Sequence, residues 1–489
     1  MNRSITYLLY FTLYTLILLF IGKGGFKRTR TVRDFFLANN SLGLVISMAT
    51  FTATWFSAAS MLGVTGSMFA NGYNTVLYAV VPWFLGATLM ILLAVRLREY
   101  EIVTLPEFFY LRYNSKSLQA FGGLVIVVTY VLYLIIQIRG FGIVVSHFLE
   151  IDYIFAKILI YLFIMYTTFG GLFSVSRTDA LNSILIFTGA LVAAGLMLSE
   201  VGGISSMHRQ AALITGAPFE GYTHVTTKGS LLDPFSLGIY PPLLTFTSFF
   251  GWGLGLATNP QYAMRIASAK NTKTAVKMIC YSVLMLAMIY LCTMIIGLGG
   301  RVLQPQIQGI SSVDEVFPYL IHQVIDSRYS GLLFISIMAA AISTANSQLL
   351  IAASGFTYDI YKNLINPQIT DERMLTMNRV FIFIAGTVSL LLSLKPPESL
   401  LIYGGVIWGV FTVTFLLPLY GGLYWKRTTG KAALYSFLSG LVVMGLFMVY
   451  SIEISTGNLR MVHPAFPGFV VAAVVFVVMN LTDGRFSSR

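Results

Sequence analysis

Four polar side chains, Ser343, Thr344, Asn346 and Ser347, interrupt "GLLFISIMAAAISTANSQLLIAASGFTYDIY" (331–361), a stretch otherwise apolar enough to cross a bilayer. Residues three and four apart share a helix face. Ser336, Ala340, Ser343, Thr344 and Ser347 fit that spacing, while Leu332, Phe334, Ile335, Met338 and Leu349 fall on other faces. A stripe of small and hydroxylated residues can serve close helix packing, with hydroxyls bonding back to their own backbone. It can also hold Na⁺, a hard cation that prefers oxygen. Neutral hydroxyls and free carbonyls suit an ion that must leave in every cycle. A continuous helix offers few free carbonyls, whereas an unwound segment exposes them. "ATWFSAAS" (53–60) reads as such a break: strong helix formers are sparse around Thr54, Trp55 and Ser57, and Gly63 and Gly66 follow. Two carbonyls from the break, the Ala340 carbonyl and the Ser343 and Thr344 hydroxyls would give a five-oxygen Na⁺ site.

A second group suggests a substrate. Arg139 lies in "YLIIQIRGFGIVVSHF", roughly 15 Å from the outer end of its expected helix. An arginine at that depth needs a partner or a wet cavity, and no acidic residue sits within one turn of it. A substrate carboxylate would match its planar fork; backbone carbonyls or an outer vestibule would also satisfy it. Asn259, Gln261 and Tyr262 end another expected helix and could line the same cavity, or simply mark a helix terminus. Trp55, Ser57 and Gln137 complete the candidate substrate-binding set.

These residues must be positioned within a membrane. The chain has 489 residues, 56% hydrophobic and 10% charged, against about 25% charged in soluble domains. Thirteen apolar segments are long enough to span, near 4–22, 42–70, 75–95, 117–149, 153–170, 178–200, 235–258, 274–300, 329–360, 376–394, 400–425, 432–450 and 463–481. The first reads as a span rather than a cleaved signal. The net charge of +12 is distributed as orientation. With the N-terminus outside and the spans alternating, 22 of the 31 lysines and arginines fall inside, seven outside, and Arg139 and Lys157 within spans. That is the positive-inside rule, and it implies no nucleic-acid partner. The C-terminus is then cytoplasmic and the lipid bilayer is the main partner; no obligatory protein partner is evident.

Cys280 and Cys292 fall in one expected helix, about 18 Å apart and beyond disulfide reach. The five histidines are scattered, so no metal-ligand cluster is expected, and no phosphate loop is present. An ion gradient rather than ATP should therefore supply energy, and no enzyme activity is expected. No soluble or signalling domain is evident, so residues 1–489 read as a single transmembrane transporter domain. Its parts are an extra N-terminal helix and basic inner loop (1–41), a first repeat (42–200), a second repeat (235–425) and C-terminal helices (426–489). Each repeat opens with a helix interrupted by small and polar residues, the usual pointer to a midplane site. The two openings are "ATFTATWFSAASMLGVTGSMFANG" and "PPLLTFTSFFGWGLGLATNPQYAMR".

Six stretches carry a family resemblance: "DFFLANNSLG" (34–43), "TATWFSAASMLGVTGSMFANG" (52–72), "LPEFFYLRY" (105–113), "YTTFGGLFSVSRTDALN" (166–182), "NPQYAMRIASAKNTKTAVK" (259–277) and "AAAISTANSQLLIAASGFTYDIY" (339–361). In this order the chain resembles the sodium:solute symporter family, the group of the sodium/glucose, sodium/proline and sodium/pantothenate cotransporters. The resemblance implies an all-α membrane protein with a LeuT-like five-plus-five inverted repeat and flanking helices. It assigns the Na⁺ ligands to the carbonyls of Ala53, Phe56 and Ala340 and the hydroxyls of Ser343 and Thr344. Some relatives hold a second Na⁺, for which Asp179, Ser343, Asn346 and Ser347 match in kind, although Asn346 stands where a hydroxyl is more usual. For Asp179 a plain helix N-terminus is the alternative. Sugar-carrying relatives usually place polar residues after the break; here Ala58, Ala59, Ser60 and Met61 follow it, and Trp55 occupies a place often polar. The expectation is a Na⁺-coupled importer of a small organic solute in the plasma membrane, working by alternating access. The solute would be a carboxylate such as a monocarboxylate or pantothenate-like acid. Two alternatives remain: an H⁺-coupled carrier of an amino acid or sugar, for which Asp179 is the available titratable group, and a transporter-like sensor without transport.

Overall fold

The computed structural model describes residues 3–26, 28–238, 242–325, 329–395, 399–453 and 462–486. Among them there are helices and no strands. The long helices, with the halves of two broken ones, are α1 (Arg3–Phe26), α2 (Leu44–Trp55), α3 (Val64–Asn71), α4 (Val81–Leu97), α5 (Lys116–Leu149), α6 (Tyr153–Thr168), α7 (Gly171–Val201) and α8 (Pro242–Thr258). They continue as α9 (Pro260–Ser268), α10 (Thr272–Leu303), α11 (Ser330–Ser354), α12 (Asp371–Leu392), α13 (Leu400–Tyr424), α14 (Gly430–Glu453) and α15 (Ala465–Phe486). Ten described helices are long and apolar enough to cross a membrane, and α2 with the segment Ala59–Asn71 makes an eleventh, bent span. The segments expected at 153–170 and 235–258 form α6 and α8, of 16 and 17 residues, short of the about 20 a straight crossing takes.

α11 is the axis of the bundle. Every residue from Leu333 to Ser354 is buried, as expected of a helix apolar or small on all faces. It packs against α5 and α7, and α2 lies across it. Small residues permit this: a Cβ on Gly189 of α7 would collide with the Ser336 side chain. Beyond Ser354 the helix continues as a π-helical segment to Ile365.

Two helices are broken, each for a local reason. α2 stops at Trp55; Phe56 is extended (φ −83°, ψ 94°), and the chain restarts at an angle of 60°. The restart is capped by side chains: Gln137 Oε1 of α5 accepts from Ala58 N (3.1 Å), and Ser57 Oγ accepts from Ser60 N (3.4 Å). The second break is an Asn-Pro step. Proline disfavours helical backbone in the residue before it, and Asn259 is extended (φ −70°, ψ 123°), its side chain accepting from Gln261 N to start α9 with Pro260 in its first turn.

The connection between α10 and α11 forms a lid over α3 and the segment before it. Within residues 304–325 of this connection, the chain is helical from Val313 to Val324. The Val313 carbonyl lies directly against Gly66, where any Cβ would collide with it.

Candidate functional site

The break in α2 and the hydroxyl stripe of α11 meet. The last α-type amide bond of α2 runs from Phe56 N to Thr52 O (3.0 Å). The next two carbonyls face α11. Ser343 Oγ donates to Ala53 O at 2.8 Å, and Thr344 Oγ1 lies 3.4 Å from the carbonyl oxygens of both Ala53 and Thr54. Ser343 Oγ is also within 2.8 Å of Ala339 O and 3.3 Å of Ala340 O. Ala53, Phe56, Ala340, Ser343 and Thr344 are all fully buried. The two carbonyls freed by the break, Ala53 and Thr54, thus depend on two hydroxyls that also face the carbonyls of their own helix, in a spot closed to water. Neutral carbonyl and hydroxyl oxygens converging from two helices form a donor set of the kind that fits Na⁺ as cargo. Phe56 forms the extended link of the break, and its ring packs on Tyr290 (5.2 Å between centroids).

The residues matched to a second ion site divide. Asp179 lies well inside α7, away from the helix N-terminus. Its Oδ2 accepts from Thr50 Oγ1 at 2.5 Å and lies 3.5 Å from Arg265 Nη2. Arg265 Nη2 also donates to Ser347 Oγ at 2.5 Å, and Ser347 Oγ is 3.0 Å from Thr54 Oγ1. Asn346 turns elsewhere: its Oδ1 accepts from Thr167 (2.7 Å) and Thr168 (3.1 Å) of α6. Arg265, one of the 22 cations counted to the inner side from the sequence, is fully buried in α9. The signal for it was weak: one cation six residues past an Asn-Pro step, among apolar neighbours.

Around the two breaks, amide groups of the candidate substrate set lack partners. Gln137 Nε2, Asn259 Nδ2 and Gln261 Nε2 are buried without a hydrogen-bond partner among the described residues. The orientations of Gln137 and Asn259 are fixed, since each oxygen accepts a backbone amide. Tyr130 OH links the second group, donating to Asn259 Oδ1 and accepting from Gln261 N (3.0 Å). Aromatic rings connect the breaks: Trp55 lies 5.5 Å from Tyr262, and Tyr262 lies 6.1 Å from Trp408. Ser57 serves as a cap.

Arg139 has a protein partner that the sequence did not reveal. Its Nη2 lies 3.3 Å from Asp314 Oδ2 and 3.2 Å from Ser312 Oγ. Asp314 also accepts from Leu400 N (3.1 Å), at the start of α13. One carboxylate therefore ties α5, the lid and α13 together. Burial raises the Asp314 carboxyl to about 6, against the opposing pull of Arg139.

A buried oxygen cluster between a broken helix and an intact one, in an all-α bundle, marks a secondary transporter. The chain belongs to the sodium:solute symporter family, whose profile matches residues 35–440. It is similar to the osmoregulated proline transporter OpuE of Bacillus subtilis (strain 168), with 25% identity over 99% of this chain and 96% of that one. The sodium/proline symporter of Staphylococcus aureus (strain USA300) is 26% identical over 96% of this chain and 91% of its own length. Among solved structures, a substrate-bound, outward-open Na⁺-coupled sialic acid symporter matches with a TM-score of 0.78, at 18% identity, over 98% of this chain and 97% of that one. Mhp1, a nucleobase-cation-symport-1 family transporter in a closed conformation, matches with a TM-score of 0.54, at 14% identity, over 92% and 94%. The protein is thus a multi-pass membrane transporter of LeuT-like architecture, not an enzyme.

Proposed function

We propose that the chain couples Na⁺ entry to uptake of a small carboxylate-bearing solute, an amino or imino acid of proline size. The observation that carries the coupling is the pair of carbonyls, Ala53 and Thr54, presented to the Ser343 and Thr344 hydroxyls. Na⁺ at this spot would bind α2 to α11 and set the angle of the break, which in turn shapes the cavity beside Trp55. The repeats 42–200 and 235–425 would each contribute one broken helix to that cavity. The N-terminus would face outward, with the plasma membrane as the site of action.

The substrate reading shifts from the sequence expectation in two respects: the solute is an amino or imino acid rather than a monocarboxylate or pantothenate-like acid, and Arg139 is not its binding group. Arg139 already faces a carboxylate, Asp314. A solute carboxylate is served better by the free amide donors of Gln137, Asn259 and Gln261, which leave no unpaired buried charge when the solute departs. The similarity to two proline transporters supports a solute of that size. Asp179, the candidate proton carrier, is engaged by Arg265 and Thr50, which favours Na⁺ over H⁺ coupling. One charge crossing 100 mV yields about 2.3 kcal/mol, and a tenfold Na⁺ gradient adds about 1.4 kcal/mol. Together these support accumulation of several hundred-fold.

Uptake of labelled L-proline by proteoliposomes under imposed gradients tests the proposal. Concentrative uptake with Na⁺ and none with H⁺ alone is expected. Uptake driven equally by H⁺, or failure of an excess of every small carboxylate to compete, would reject it.

A further inference from the structure

Arg265 bears on how many cations move in each cycle. A buried carboxylate in a helix bundle needs a positive partner. For Asp179 the partner could be an alkali ion, held also by the Ser347 hydroxyl next to the Na⁺ site. In this chain the two groups instead meet the guanidinium of Arg265, 2.5 Å from Ser347 Oγ and 3.5 Å from Asp179 Oδ2. Asp179, Ser347, Thr50, Thr54 and Arg265 are all fully buried. We infer that Arg265 is a tethered cation standing in the second ion position, so that the transporter carries one Na⁺ per cycle.

Charge decides it. Asp179 and Arg265 cancel, so an ion entering beside them would be uncompensated and would face a like charge a few ångströms away in a poorly screened interior. The group that could hold the ion from the far side is absent: Asn346 is turned to Thr167 and Thr168. Arg265 is also placed to report on the first site. It rides on α9, the half-helix after the second break, and reaches Ser347, whose hydroxyl donates to the Ser343 carbonyl (3.0 Å). The two broken helices are therefore linked through one arginine, one turn of α11 away from the Ser343 hydroxyl. An arginine, unlike a sodium ion, cannot leave; its charge stays with the protein through the cycle and contributes nothing to the driving force.

The inference rests on Na⁺ coupling, and the test separates the two. ²²Na⁺ bound to the purified full chain, without solute, is counted per protein. The wild type should bind one ion with a Hill coefficient near 1, and Ser343→Ala/Thr344→Ala should weaken that binding at least tenfold. Arg265→Gln should bind two ions, and Arg265→Gln/Asp179→Asn should return to one. Arg265→Lys, which keeps the charge, should stay at one; this variant and the wild-type count decide the matter if Arg265→Gln does not fold. Two ions in the wild type or in Arg265→Lys, or one in a folded Arg265→Gln, would overturn the inference alone. No saturable binding to the wild type would remove Na⁺ coupling itself.

Discussion

The two broken helices solve the same backbone problem in opposite ways. At the first break the carbonyls of Ala53 and Thr54 are left to foreign hydroxyls, and the restart is capped from outside by Gln137. At the second, Asn259 caps the restart itself and Tyr130 secures it. The first break thus depends on groups from α5 and α11 and, in the proposed function, on an ion. The second is capped by Asn259 within its own segment, with Tyr130 of α5 bonded to both Asn259 and Gln261 N. On the proposed function the former would respond to Na⁺, and the latter would give the solute a wall and Arg265 a mount. The lid adds to the asymmetry, for it presses on α3 after the first break through Gly66 and Val313 and is tied down by Asp314 and Arg139.

The largest effect is expected where the first break is clamped. Arg139→Gln leaves Asp314 buried and unpaired, which should cost about 3–5 kcal/mol of stability. Arg139→Gln/Asp314→Asn should recover most of it; thermal unfolding of the single and double variants checks this, and an undiminished single variant would mean that the pair does not hold the lid. Next comes Gln137→Leu, which strips the foreign cap from Ala58 N. An orphaned buried amide costs about 1–3 kcal/mol, and half-maximal uptake should need several-fold more of both Na⁺ and solute. Asn259→Ala should be milder and selective: loss of a cap costs about 1 kcal/mol, the solute KM rises, and the Na⁺ requirement stays within about twofold. A parallel rise in the Na⁺ requirement would erase the distinction between the breaks. The smallest effect concerns acid. Asp314, held near 6, is charged above that value and loses its charge as pH falls through it. Because burial raises this carboxyl in the folded protein, the folded state binds the proton more tightly than the unfolded one and gains stability as pH falls through about 6. The unfolding temperature of the wild type relative to Asp314→Asn should therefore rise by a few degrees between about pH 7.5 and about pH 5.5.

What could be read from the sequence was what lies close along the chain. The hydroxyl stripe is a matter of helical period, and the break at 53–60 of weak helix formers and following glycines; both appear in the structure and face each other. The Asn-Pro step carried a cap signal of the same local kind. Asn346 shows where that reasoning slipped. It adjoins Ser347, and residues one apart on a helix point to different faces, so the two serve α6 and Arg265 respectively. Arg139–Asp314 and Arg265–Asp179 join residues 175 and 86 positions apart. Nothing local announces such pairs; a buried charge declares only that a partner exists. The number of spans was similarly blurred, because α6 and α8 are short and a bent helix counts once or twice.

Sodium dependence of uptake in Ser343→Ala/Thr344→Ala is the most direct test of the central claim, that Na⁺ joins the open carbonyls of α2 to these two hydroxyls. With the two hydroxyls gone, the Na⁺ concentration for half-maximal uptake should rise at least tenfold while the protein remains folded in the membrane. An unchanged sodium curve in that variant would contradict the account.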